Sequence, residues 1–365
     1  MKITEPDIQF ISELKKESGA PLKQCMQCGT CSVVCKLSPE DRPFPRKEMI
    51  QAGWGMKDKL IGNPDVWLCH QCGECTTYCP RGVKPSDVLS SIRKLTYKHY
   101  ARPKFLVKIL ASPKWIPVVT LVPLLIIVAI IYFAGTLRIP SGPVNYSKLF
   151  PHAWLNGTFT SLCVLSFCTF IGSIRLFWKE MKTNYPAKGK QQGWFKSLFQ
   201  AINEILSHRN FSKCKDKKFT ISAHFLVFWG FIMLLVVTLF AILSVIMGTY
   251  PMPFTSPVKI AGNVAAIMLT IGLTTMIYKR ITKQDAVSHS TYFDWVFLVS
   301  IFVLTISGVI VEMARFLDWG AAAYYIYLFH LLFVWLIIVY LPYTKFAHIV
   351  YRTTAVTYNK MTGRK

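Results

Sequence analysis

Two stretches of this chain gather most of its cysteines: CMQCGTCSVVC at 25–35 and CHQCGECTTYC at 69–79. Each reads C-x2-C-x2-C-x3-C. A cubane 4Fe–4S cluster needs four thiolates. A tight loop of this spacing presents three of them around one face, while its fourth cysteine points away toward a second cluster. The crossed assignment gives Cys25, Cys28, Cys31 and Cys79 to one cluster, and Cys69, Cys72, Cys75 and Cys35 to the other. Gly29 and Gly73 sit inside the loops, where backbone must approach sulfide closely. Zinc is the plainer alternative, but zinc knuckles use two cysteines and need no third and fourth at these offsets. Pro80 follows the last ligand, as iron–sulfur runs often have it.

The elements that must hold these loops fall into two parts. The chain has 365 residues and a mean hydropathy of +0.36. Long apolar runs begin only after residue 114, so a polar head at 1–114 precedes a membrane body at 115–350 and a tail at 351–365. In the head, residues 4–18 predict an amphipathic helix with Ile8, Ile11 and Leu14 on one side. The segment between the cysteine runs predicts short helices, and 85–100 predicts a helix capped by Ser86. The head is therefore all-α rather than a β sandwich. Gly53-Trp-Gly55 lacks a third glycine, so no dinucleotide fingerprint is present and any flavin belongs to a partner.

Six runs are long enough to cross a bilayer: 115–135, 154–177, 221–247, 258–278, 294–316 and 323–346. The net charge of +24 follows membrane topology rather than nucleic-acid binding. The loop expected after the second span, 175–220, holds eleven basic residues, and Lys279, Arg280 and Lys283 follow the fourth span. The opposite side has only Arg138, Lys148, Lys259 and Arg315. Both termini and the head are expected on the cytoplasmic side of the inner membrane, where thiolates stay reduced. The first twenty residues lack the apolar core of a signal peptide.

Ionisable groups in spans are functional candidates by default. His330 and His348 are 18 residues apart, which on one continuous helix is five turns and about 27 Å, both facing one way. Two stacked b-type haems would need that. No C-x-x-C-H motif attaches haem covalently. The expected axial pairs are His224 with His348 for an inner haem and His152 with His330 for an outer one. His208 competes for the inner site, and His152 is equally well read as a packed histidine. His70, between cluster ligands, reads as packed or solvated, and His99 and His289 as solvated. Glu312 and Arg315 end the fifth span. They could pair with each other, hold a haem propionate or exchange protons with a quinone. Cys163 and Cys168 read as packing residues, leaving Cys214. Trp115, Trp154, Trp178, Trp295, Trp319, Tyr324 and Tyr325 read as interfacial aromatics.

The doubled cysteine runs resemble the small iron–sulfur subunit of heterodisulfide reductases. The body, with its histidines 18 residues apart, resembles the gamma-type cytochrome b subunit of respiratory nitrate reductases and of membrane heterodisulfide reductases. Their fusion resembles the membrane C subunit of the quinone-interacting membrane-bound oxidoreductase (Qmo) family. The resemblance implies an α-helical ferredoxin domain with two 4Fe–4S clusters, a six-helix b-haem bundle and a quinone site. It also implies flavin and iron–sulfur partner subunits A and B, menaquinone as substrate, and electron exchange with adenylylsulfate (APS) reductase. One departure stands out. Nitrate reductase cytochromes carry a further histidine ten residues after the first on the early haem span, and here that position is Leu234.

The expected function is a membrane electron-transfer subunit. Quinol is oxidised near the outer haem, electrons cross inward, and the clusters pass them to a soluble partner. The alternatives are a module serving a thiol–disulfide enzyme, a transporter or sensor with an iron–sulfur head, and a haem-free anchor.

Overall fold

The computed structural model describes residues 5–40, 42–187, 191–210, 218–249, 252–282 and 290–364. Helix accounts for 73% of the chain, with no strand among the described residues. The head opens with α1 (Ile8–Ser18), whose Asp7 carboxylate accepts from Phe10 N at 2.8 Å and whose Gly19 closes the helix in the left-handed region. Its buried face is Phe10, Leu14 and Ser18 with Ile11 packed beside it, so of the expected apolar side Ile11 and Leu14 meet the core while Ile8 is 78% exposed. Then come α2 (Thr30–Val33), α3 (Arg46–Gly53), α4 (Lys57–Ile61), α5 (Glu74–Thr77), α6 (Pro85–Tyr100) and α7 (Lys104–Leu110). Proline opens α6 at its first turn. Ser86 does not cap it; its hydroxyl instead bonds Thr76 Oγ1 at 2.9 Å and ties α6 to α5.

Beyond the head lie α8 (Ile116–Phe133), the short α9 (Tyr146–Leu149), α10 (His152–Asn184), α11 (Trp194–Leu206), α12 (Lys218–Ile246), α13 (Pro257–Ile281), α14 (Tyr292–Phe316), α15 (Ala321–Tyr340) and α16 (Ala347–Met361). Six helices are long and apolar enough to cross a membrane, with few of their residues buried inside the protein. That outward apolar surface is what a bilayer would cover. Cys163 and Cys168 lie on it, exposed rather than packed. Trp115, Trp154, Trp319 and Tyr325 are exposed, as interfacial aromatics should be. Tyr324 instead is buried and receives Asn145 N at 3.0 Å, and Trp178 packs edge-on to Tyr358.

Two departures reshape the head-side end. The basic segment expected as a loop at 175–220 is largely helical, since α10 runs on to Asn184 and α11 follows. The last span also stops at Tyr340. A 3-10 turn containing Pro342 separates it from α16, because proline removes a backbone donor. His330 and His348 therefore lie on different helices, and the common-face argument from one continuous helix fails. Residues 351–364 are no tail. Tyr351 and Tyr358 are buried, and Arg364 reaches Asp65 at 2.6 Å. Cys214, His289, Lys188, Lys190, Lys213, Lys215, Lys217 and Lys283 lie outside the described residues, as does the Lys218 side chain.

Head and body interlock through these extensions. Trp67 of the head stacks on Tyr351 of α16 at 5.7 Å, and Tyr97, Tyr100 and Phe177 complete a buried aromatic cluster. Deep in the same junction, Asp294 of α14 holds Lys94 of α6 at 2.5 Å and Lys345 at 2.9 Å.

Candidate electron-transfer site

The two cysteine loops are near copies. Gln27 and Gln71 take left-handed φ of 59° and 56°, and Gly29 and Gly73 follow at 84° and 88°. Each glycine then starts a one-turn helix, α2 or α5. A non-glycine residue with positive φ is uncommon; two at equal register mark a shared constraint. That fold of the backbone wraps successive cysteines around one centre.

The structure gathers the eight cysteines into two small cavities. One is lined by Cys25, Cys28, Cys31 and Cys79, with Arg46, Met49 and Arg81. The other is lined by Cys35, Cys69, Cys72 and Cys75, with Phe44, His70 and Leu89. Each loop thus sends its fourth cysteine across to the other's cavity. The two sites differ in depth. Cys69 and Cys75 are buried, whereas Cys28 is exposed and its neighbour Met26 is 59% exposed.

Thiolate chemistry tests what such cavities hold. Burial, reinforced by the charges of Cys25, Cys28 and Cys79, pushes Cys31 up to about 11. Burial also pushes Cys35 up to about 12, with Cys69 and Cys72 adding to the rise, and it raises Cys75 further still. Four crowded sulfurs in apolar surroundings resist ionising together, and a cationic centre removes that obstacle. The donor set fits a thiolate-ligated cluster. Backbone donors already point at sulfur, Gln71 N to Cys69 Sγ at 3.3 Å and Val83 N to Cys79 Sγ at 3.4 Å. Such bonds tune cluster potential.

A larger cavity of about 510 Å³ lies between the head, α11, α12 and α16. His70, His208, His224 and His348 line it together with Arg352. His348 Nδ1 lies 2.6 Å from the Lys345 carbonyl, which only accepts, so Nδ1 carries the hydrogen and Nε2 keeps its lone pair. Metal-ligating histidines are commonly oriented in this way. The His208 ring sits 5.6 Å from that of His224, so the expected competitor shares the site. Volume and donors fit a haem held between His224 and His348.

The outer pair lies on two helices in contact, α10 and α15. Along α10 and α15, Phe159 meets Trp335 and Ser166 Oγ donates to the Ile338 carbonyl, so the helices run parallel. That register sets His152 level with residues 324–328, about one turn outward of His330. The His330 ring rests on α14. Its Nδ1 bonds Ser307 Oγ at 2.9 Å, and a Cβ on Gly308 would come within 3.1 Å of the ring. The Glu312 carboxylate pairs with Lys259 of α13 at 2.9 Å, a partner not named among the sequence alternatives. Sequence spacing carried no sign of that partner.

The fold and the paired thiolate cavities define an iron–sulfur electron-transfer protein with six helices long and apolar enough to cross a membrane. Residues 107–365 match the family model described as citrate utilization protein B, and residues 21–83 match a 4Fe–4S dicluster domain. The chain belongs to the citrate utilization protein B family. It is 21% identical to citrate utilization protein B of Escherichia coli over 377 residues, covering 96% of this chain and 93% of that protein. Over 93 residues it is 39% identical to a protein of Archaeoglobus profundus that is like the C subunit of heterodisulfide reductase, covering 25% of this chain and 50% of that one. Over 88 residues it is 38% identical to the C subunit of the H2:CoB-CoM heterodisulfide,ferredoxin reductase of Methanothermobacter marburgensis, covering 24% and 47%. The chain thus spans about half the length of these heterodisulfide reductase relatives. The family matched over the membrane body is citrate utilization protein B, where the sequence resemblance pointed to the Qmo family.

Proposed function

We propose that this chain carries electrons from membrane quinol, through two b-type haems and two 4Fe–4S clusters, to a soluble partner on the head side. The crossed sets Cys25, Cys28, Cys31, Cys79 and Cys69, Cys72, Cys75, Cys35 ligate the clusters. His224 and His348, which line one cavity, would hold the inner haem, and the cofactors would supply the redox chemistry. The single observation carrying this reading is that the histidine cavity and the second thiolate cavity share a wall at His70. His152 of α10 and His330 of α15 would hold a second, outer haem linking quinol near Glu312 to the inner one, the His330 Nδ1 being held by Ser307 much as that of His348 is held by Lys345.

Glu312, near the far end of α14, is the proton acceptor for quinol in this reading, with Lys259 and Arg315 beside the site. The head faces the cytoplasm, as the basic residues at the head-side span ends support. The partner is a flavin and iron–sulfur protein, and menaquinol with APS reductase is its most specific form. The match of the cysteine loops to heterodisulfide reductase subunits favours a second partner, a thiol–disulfide enzyme. Co-purification separates these partners. Iron, sulfide and haem analysis of the purified chain, with a reduced-minus-oxidised spectrum, tests the core proposal. About eight non-haem irons and two protohaems are expected. Clusters without protohaem would leave a haem-free anchor.

A further inference from the structure

Resting on that reading, we propose that His70 and Arg352 form the bridge by which electrons pass between the second thiolate site and the histidine cavity. The second loop then holds the inner centre, and the first loop holds the outlet toward the partner.

Cys69 and His70 are adjacent in the chain. Cys69 lines the second thiolate cavity only, whereas His70 lines both cavities. The Cys69 carbonyl accepts from Arg93 at 3.0 Å and from Arg352 at 3.2 Å. Arg352 stands one helical turn after His348 on α16, on the same face, and lines the histidine cavity too. Two short links therefore join the sites: the Cys69–His70 peptide, and the Arg352 hydrogen bond to the Cys69 carbonyl. The first site has neither. Its walls are Arg46, Met49 and Arg81, and it opens to solvent at Cys28.

Each transfer oxidises the centre in the histidine cavity by one electron and reduces the second-loop cluster by one, with no bond made and no proton moved. A merely space-filling His70 would change stability and cluster content but not this rate.

The test uses the full chain in detergent, reduced by a soluble naphthoquinol, with haem and cluster reduction followed separately. In His70→Ala and in Arg352→Met, the ratio of cluster to haem reduction rates should fall at least about tenfold, while Arg352→Lys restores most of it. Dithionite-reduced EPR spectra should show both clusters present in every variant, with only the second-loop signal shifted in Arg352→Met. That signal is assigned as the one that Cys79→Ser leaves intact. Unchanged ratios, or first-loop reduction ahead of the second, would overturn the bridge while leaving the proposed function standing. A wild-type chain without haem would overturn the proposed function itself, and the bridge with it.

Discussion

Lys94 Nζ lies 2.5 Å from Asp294 Oδ2, both side chains about 4% exposed, and Lys345 holds the other carboxylate oxygen at 2.9 Å. The pair joins the head helix α6 to the membrane helix α14 across 200 residues of sequence. Buried charges are costly when one partner is removed, because the survivor stays desolvated and unpaired. Asp294→Asn should destabilise the docked state by about 3–5 kcal/mol. A lowered melting temperature and faster proteolytic release of the head would show it. If the double variant Lys94→Met, Asp294→Asn is no better than the sum of the singles, the two residues are not coupled.

The crossed thiolate sets make a prediction about which cluster is lost. Cys79→Ser should damage the cluster of the first loop, and Cys35→Ser that of the second, each lowering iron by about half. Iron counting with EPR on both variants checks this. Loss of the same-loop cluster in each case would reverse the assignment.

Glu48 is buried against Asp65, with Asn63 Nδ2 donating to it at 3.0 Å. Burial first, and the Asp65 charge second, push its carboxyl from 4.5 up to about 7. The folded head thus holds this proton more tightly than the unfolded chain. Stability should fall as pH rises from 4.5 to 7 and then level off, by about 3 kcal/mol from this group. Melting curves of Glu48→Gln across that range should be flatter than those of the parent. Parallel curves would remove Glu48 as the source.

Lys259 and Glu312 are each 29% exposed, so their bridge should contribute about 1 kcal/mol or less. Glu312→Gln is expected to leave the melting temperature nearly unchanged while slowing quinol oxidation about a hundredfold. Steady-state turnover with a water-soluble quinol reads this directly. Full turnover would make Glu312 only a strut between α13 and α14.

What spacing and hydropathy can carry was legible in the sequence. The offsets of eight cysteines sufficed to group them as the cavities do. Six apolar runs mapped onto six long helices. Less visible were features made by distant chain segments. The apolar run LLFVWLIIVYLPYTKF hides the end of α15, and Pro342 was its one local signal. A lone His70 reads as packing until α16 brings His348 and Arg352 to its far side. Lys259 and Glu312 are 53 residues apart, and no period of helix or strand pairs them. The basic stretch at 175–220 looked like a loop on its charge, yet Trp194, Leu198, Ala201 and Ile205 recur at helical spacing and α11 forms and packs on α16.

Helix α16 emerges from the ribosome after the head and helices α8 to α15, yet it supplies one wall of the histidine cavity and the stacking partner of Trp67. Assembly is consequently vectorial only in part. The iron-binding loops can be charged with metal early, but the junction between them and the bilayer can close only when translation has passed residue 361, so a stalled chain would display an unsealed relay.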